Sequence, residues 1–301
     1  MNYPSFVVRK VFDEADNFIP LCSLLVLISM AKGKPMISES DLKISSSLER
    51  IKHVIIVISG KGGVGKSTVS SNIAMTLAMK KFKTGLMDVD IHGPNIPKML
   101  GLEDAPLGIE DGKLVPVIAA NGLKVMSMAF LLPERDAPVA WRGPVKMGAI
   151  RQFIEDVAWD DLDYLVIDMP PGTGDEALSV VQLIPKADGM IVVTTPQDVA
   201  LLDSRKSIVF SVTVNIPVIG LIENMSGFVC PHCNERVDIF KTGGGEAAAT
   251  EMGVQFLGRI PIETNIVAGG DSGVPIVISS PDSGSAKAFA DITEKVIRTI
   301  G

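Results

Sequence analysis

Gly60-Lys61-Gly62-Gly63-Val64-Gly65-Lys66-Ser67-Thr68 carries the densest chemical information in this 301-residue chain. Its spacing is G-x-x-x-x-G-K-S/T, with a buried-strand pattern before it and a helix pattern after it. Glycines let the backbone wrap so that consecutive N–H groups face an anion, and the helix that follows points the positive end of its dipole there. In such a loop Lys66 reaches the β- and γ-phosphates of ATP. Ser67 offers its hydroxyl to Mg2+, and Thr68 assists at the α-phosphate.

Two acidic segments supply the remaining groups a phosphoanhydride reaction needs. Tyr164-Leu165-Val166-Ile167-Asp168 is an apolar run ending in a carboxylate, the arrangement that holds Mg2+ through its water shell. Pro170-Pro171-Gly172-Thr173-Gly174-Asp175 follows it and suits a loop that moves with the γ-phosphate. Asp88-Val89-Asp90 closes another strand and leads into Ile91-His92-Gly93-Pro94-Asn95, which puts Asp90 where it can orient an attacking water. His92 reads as a loop or interface residue rather than a base.

Cys230-Pro231-His232-Cys233 can present two thiolates to one metal centre. An iron–sulfur cluster usually takes four ligands, so the simplest completion is the same pair from a second subunit across a two-fold axis. A zinc site completed by His232 or by a partner chain stays open. So does a thiol–disulfide couple, although the alternation over residues 234–239 is strand-like, and such couples usually precede a helix that lowers the thiol pKa.

These groups need a scaffold, and the hydrophobic pattern specifies one. Val54-Ile55-Ile56-Val57-Ile58 is the mark of a strand buried on both faces. Short apolar runs recur at residues 85–87, 123–128, 164–167, 190–193, 218–222 and 254–257. Between them, residues 68–81, 145–157, 176–183, 199–212 and 285–300 repeat apolar positions every three or four residues. The alternation predicts an α/β fold, a doubly wound and mostly parallel sheet with helices on both faces and ligands at the carboxyl ends of its strands. Residues 51–301 read as one P-loop ATPase domain with a Cys-x-x-Cys insertion at 227–240. Residues 1–50 read as a leader, mobile or translated from a mis-assigned start.

Composition bounds the partners. A formal charge of -7 offers no basic field for nucleic acid. The apolar stretch at 18–30 is broken by Pro20 and too short to span a membrane, and the acids before it do not fit a signal peptide. Three cysteines suit a reducing cytoplasm rather than a disulfide framework. Among them Cys22 reads as a buried free thiol.

On these motifs, together with Ile96-Pro97, Met169 and Glu223-Asn224-Met225-Ser226, the chain resembles the Mrp/ApbC family of iron–sulfur carrier ATPases. That family lies within the deviant-Walker class that includes MinD, ParA and the nitrogenase iron protein, and the likeness covers residues 51–301. The resemblance implies a SIMIBI-type P-loop NTPase that hydrolyses ATP. It implies a cluster, 4Fe–4S rather than 2Fe–2S, held at a homodimer interface for transfer to apo-proteins. It implies that Lys61 reaches the partner subunit's nucleotide, that Asn224 meets the adenine edge, and that Pro261 and Glu263 flank the base. The alternative is a MinD- or ParA-like positioning switch with a structural zinc or redox cysteine pair. A membrane-targeting tail would need a basic face, and residues 290–301 mix acids with bases.

Overall fold

Five β-branched residues in a row leave a strand no polar face, so residues 54–58 must lie in a sheet covered on both sides. In the computed structural model, which describes residues 39–132, 143–184, 186–230, 232–233 and 235–301, they make up the middle of β1 (Ile51–Ser59). Val54, Ile56 and Ile58 enter one core cluster, and Ile55 and Val57 enter another across the sheet. Each such side chain contributes about 2 kcal/mol of gross transfer free energy. This strand therefore anchors both layers.

The chain continues through β2 (Thr84–Asp88), the hairpin β3 (Gly108–Glu110) and β4 (Lys113–Val115), β5 (Val117–Ile118), β6 (Lys124–Ser127), β7 (Leu162–Asp168), β8 (Gly189–Thr194) and β9 (Val218–Glu223). A second hairpin, β10 (Phe228–Val229) and β11 (Arg236–Val237), precedes β12 (Phe256–Arg259). The main sheet has eight strands in the order β12-β9-β8-β1-β7-β2-β6-β5. Its pairings are parallel except for the edge strand β5, which runs antiparallel to β6. Helices Lys66–Met79 and Gly284–Ile300 cover one face through Val69, Ile73, Phe289 and Ile292. Helices Gly143–Glu155, Asp175–Leu183 and Asp198–Thr213 cover the other through Phe153, Val180 and Ile208. The doubly wound reading holds. The carboxyl ends of β1, β2, β7 and β9 bring the P-loop, Asp88, Asp168 and Asn224 to one side of the sheet.

The amino-terminal boundary differs from the sequence reading. Residues 43–301 form one compact unit. The polar stretch 38–50, expected within a mobile leader, contains the helix Glu39–Leu48, whose Ile44 and Leu48 are buried in the core. Two apolar residues four apart on one helical face dock it, and the serines and charges between them masked that face. Residues 1–38, with Cys22 and the apolar stretch 18–30, lie outside the described residues. No helix among the described residues is long and apolar enough to cross a membrane.

Candidate functional site

The P-loop leaves the end of β1 and enters the helix Lys66–Met79, whose first turn holds no acidic residue and whose cap position, Gly65, supplies no side-chain acceptor. Its amides therefore remain available to an anion. Two glycines are required by close packing. A Cβ on Gly60 would lie 2.2 Å from the Asp203 carbonyl oxygen, and one on Gly65 would lie 2.2 Å from Asn224 Nδ2. Gly65 also has φ 83°, a left-handed conformation that a side chain would strain.

Around this loop two cavities join end to end. One of about 370 Å³ is lined by Gly63, Lys66, Ser67, Asp90 and Pro171. The other, of about 380 Å³, is lined by Asn224, Met225, Pro261, Ile262 and Glu263. Gly65, Thr68, Asn95 and Met99 line both. A polar end beside a lysine and an apolar end beside an amide have the shape and chemistry of a nucleoside polyphosphate.

Asp168 organises the polar end. It is fully buried and accepts hydrogen bonds from Lys66 Nζ at 2.8 Å, Ser67 Oγ at 2.6 Å and Ser70 Oγ at 2.6 Å. Lys66, expected to reach phosphates, thus pairs with the acid expected to sit near Mg2+. Asp90 lies at the rim of the same cavity, where its Oδ1 accepts the amides of His92 at 3.1 Å and Gly93 at 3.2 Å. Burial raises its carboxyl above the ordinary range. His92 approaches Glu176 to 3.7 Å and links this loop to the helix Asp175–Leu183.

Asp88, to which the sequence reading assigned no separate role, faces Asp168 across the β2–β7 pairing. It accepts the Ser127 hydroxyl at 2.8 Å and the Asp90 amide at 3.1 Å. Burial first, and the Asp168 charge second, push its carboxyl up to about 8. The Ser67 hydroxyl, 2.6 Å from the Asp168 carboxylate, gives with it an all-oxygen donor pair of the kind Mg2+ takes. The residues therefore fit that ion. Ser67 would hold it directly and Asp168 through water.

A pH dependence follows. Because folding raises the Asp88 pKa above its unfolded value, the folded state binds the extra proton, and stability is lost as pH rises toward about 8. The melting temperature of the protein alone should fall as pH rises from about 4 to about 8 and level off above, with on the order of 2 kcal/mol of stability lost between about pH 6 and pH 8. Asp88→Asn should flatten that slope and weaken MgATP binding. An unchanged slope in the variant would remove Asp88 as its cause.

At the apolar end, Asn224 donates from Nδ2 to the Val64 carbonyl at 2.9 Å. Expected at the adenine edge, it lines the cavity but spends this donor on the P-loop. Pro261 lines the cavity and accepts from Ser285 Oγ through its carbonyl. Glu263 also lines it, yet its Oε1 accepts the Ser285 amide at 2.8 Å at the start of the helix Gly284–Ile300. The Lys61 carbonyl accepts from Ser59 Oγ at 2.9 Å. Its ammonium has no partner among the described residues, which leaves it available to a second chain.

Cys230 and Cys233 lie at the tip of the β10–β11 hairpin, closed by a hydrogen bond from the Cys230 amide to the Glu235 carbonyl at 2.9 Å. The neighbouring Cys233 and His232 amides, and then the Cys233 side chain, hold the Cys230 thiol below its usual range. Both cysteines are free thiols, Cys230 partly exposed and Cys233 exposed. No helix N-terminus follows them, which weighs against a thiol–disulfide couple. Among the described residues no group of three or more His, Cys, Asp and Glu could hold a metal ion within one chain. The hairpin base is tied beside the apolar cavity, with the Ile262 amide donating to the Gly227 carbonyl at 2.8 Å.

Residues 50–297 match the model of the ParA family described as NUBPL iron-transfer P-loop NTPase. An iron–sulfur cluster carrier protein of Methanocaldococcus jannaschii is 50% identical over 267 residues, 89% of this chain and 91% of the relative. A cytosolic Fe–S cluster assembly factor Nubp2 homolog of Aedes aegypti is 49% identical, over 83% of this chain and 98% of its own. Among solved structures, a nucleotide-binding protein of Archaeoglobus fulgidus in complex with ADP superposes with a TM-score of 0.71 at 38% identity, covering 80% of this chain and 94% of the other. The cell-division ATPase MinD of Pyrococcus furiosus superposes with a TM-score of 0.63 at 23% identity, covering 82% and 99%, a likeness of fold alone.

Proposed function

Because the chain belongs to the ParA/NUBPL iron-transfer family of P-loop NTPases, we propose that it binds and hydrolyses MgATP as a homodimer. Its cargo is an iron–sulfur cluster, held between two subunits and handed to apo-proteins in the cytoplasm. Two free cysteines placed together at the tip of a hairpin rooted beside the nucleotide cavity carry this reading. A positioning switch of the MinD or ParA kind accounts for the fold but gives no use to that hairpin.

In this reading the P-loop amides and Lys66 hold the phosphates, with Lys66 leaving Asp168 as they arrive. Ser67, with Asp168 through water, would hold Mg2+, which would supply charge neutralisation to the polyphosphate. Asp90 orients the attacking water from the rim, and Lys61 extends to the partner subunit's nucleotide. Asn224, Pro261 and Glu263 enclose the base. Cys230 and Cys233 give two thiolates per chain, so two chains give the four that a 4Fe–4S centre usually takes.

Anaerobic reconstitution tests the reading. One cluster per dimer is expected, lost in Cys230→Ser and in Cys233→Ser while both variants retain MgATP binding. Metal and sulfide content should be measured together with oligomeric mass, with and without ATP. A full cluster on a monomer, or stoichiometric zinc that resists replacement by iron, would overturn the bridging arrangement.

A further inference from the structure

The Cys hairpin leaves the body of the protein after Ser226 and returns at Gly243, and both ends meet on one carboxylate. Glu223, at the end of β9, is fully buried. Its Oε1 accepts the Ser226 hydroxyl and, at 2.9 Å, the Gly243 amide, and its Oε2 accepts the Gly245 amide. Arg259 Nε approaches Oε1 to 3.4 Å and balances the charge. The returning segment is shaped to this group: Gly243 has φ 85°, and a Cβ on Gly245 would lie 2.9 Å from Glu223 Oε2. Beyond these bonds, most of the returning leg at residues 235–241 is exposed.

The next residue faces the other way. Asn224 holds the Val64 carbonyl of the P-loop, and its amide fills the space that a Gly65 side chain would take. Two successive residues at one strand end therefore grip the phosphate loop and the cysteine segment. Any displacement of the Val64–Gly65 backbone on nucleotide binding would bear on Asn224 and, next to it, on Glu223. We propose that Glu223 is the positioning residue through which the nucleotide site sets the placement of Cys230 and Cys233. This rests on the carrier reading for its consequence, cluster retention, but not for the mechanical coupling itself.

Two readouts test it in the full chain. The first is the rate at which a chelator bleaches the visible absorption of the reconstituted cluster, with and without MgATP. The second is amide hydrogen exchange over residues 227–242 in cluster-free protein, again with and without MgATP. Glu223→Gln keeps the side-chain size but turns an NH2 group toward amide or hydroxyl donors. It should retain MgATP affinity, lose the cluster about tenfold faster, as expected for one lost hydrogen bond to a charged group, and no longer respond to MgATP in either readout. Ser226→Ala removes one donor only and should move both readouts the same way by less. Extraction and exchange that match the unaltered protein in Glu223→Gln would overturn the proposal. If that variant fails to bind MgATP, unchanged readouts in Ser226→Ala would do so. If the unaltered protein takes up no cluster, the carrier reading fails, and exchange alone decides: a MgATP response lost in Glu223→Gln supports the coupling, and one that is kept, or absent from the start, overturns it.

Discussion

Lys66→Ala is expected to abolish measurable MgATP binding. Lys66 is the buried cation of the polar cavity, and in the nucleotide complex it would make charge-assisted bonds to two phosphates. At roughly 1.5–3 kcal/mol each, their loss weakens binding by about two to four orders of magnitude. The substitution also strips Asp168 of its ion-pair partner, at 2.8 Å, inside the fold. Removing one member of a buried pair costs about 3–5 kcal/mol, so the melting temperature should fall as well. Lys66→Met, which fills the volume without the charge, should recover packing but not nucleotide. Calorimetric titration with MgATP and thermal unfolding separate the two effects, and binding within tenfold of the unaltered protein would exclude Lys66 from the phosphate site.

Asp90→Ala should leave binding nearly intact and slow turnover, by about two to four orders of magnitude if the carboxylate orients the attacking water. Alanine also releases the His92 and Gly93 amides that Asp90 Oδ1 now accepts. Asp90→Asn keeps an acceptor for those amides while removing the charge. If both variants are slow with unchanged affinity for MgATP, the defect lies in water positioning. If only the alanine variant is slow, Asp90 acts by shaping the loop, and normal hydrolysis in both would remove it from the mechanism.

The nucleotide site was legible where its chemistry is contiguous. The P-loop is a run of local residues, and Asp168 announces itself as an acid at the end of an apolar strand. What the pattern does not contain is the identity of partners brought in by the fold. The Asp88 carboxyl is pushed up first by its burial in the sheet and then by Asp168, which the β2–β7 register sets opposite it. Asn224 binds Val64, 160 residues earlier in the chain. Glu223 reads as an ordinary strand-ending acid until Gly243 and Gly245 return to it. The helix Glu39–Leu48 escaped for a related reason, since Ile44 and Leu48 count as a face only once a core lies beneath them.

The cysteine hairpin has a consequence beyond this chain's own chemistry. Its strands pair over only two positions, Phe228 with Val237 and Val229 with Arg236, and its tip belongs to neither core cluster. So short a ribbon is marginal by itself, and it is ordered by its base. It is in effect a cassette mounted on a separately packed host. Because no side chain of the described tip enters either core cluster, substitutions there should leave the packing of the sheet and its helices unchanged. The same segment could be transplanted: a host sheet offering an equivalent acid at a strand end and two glycines after the insertion would have the fittings to receive it.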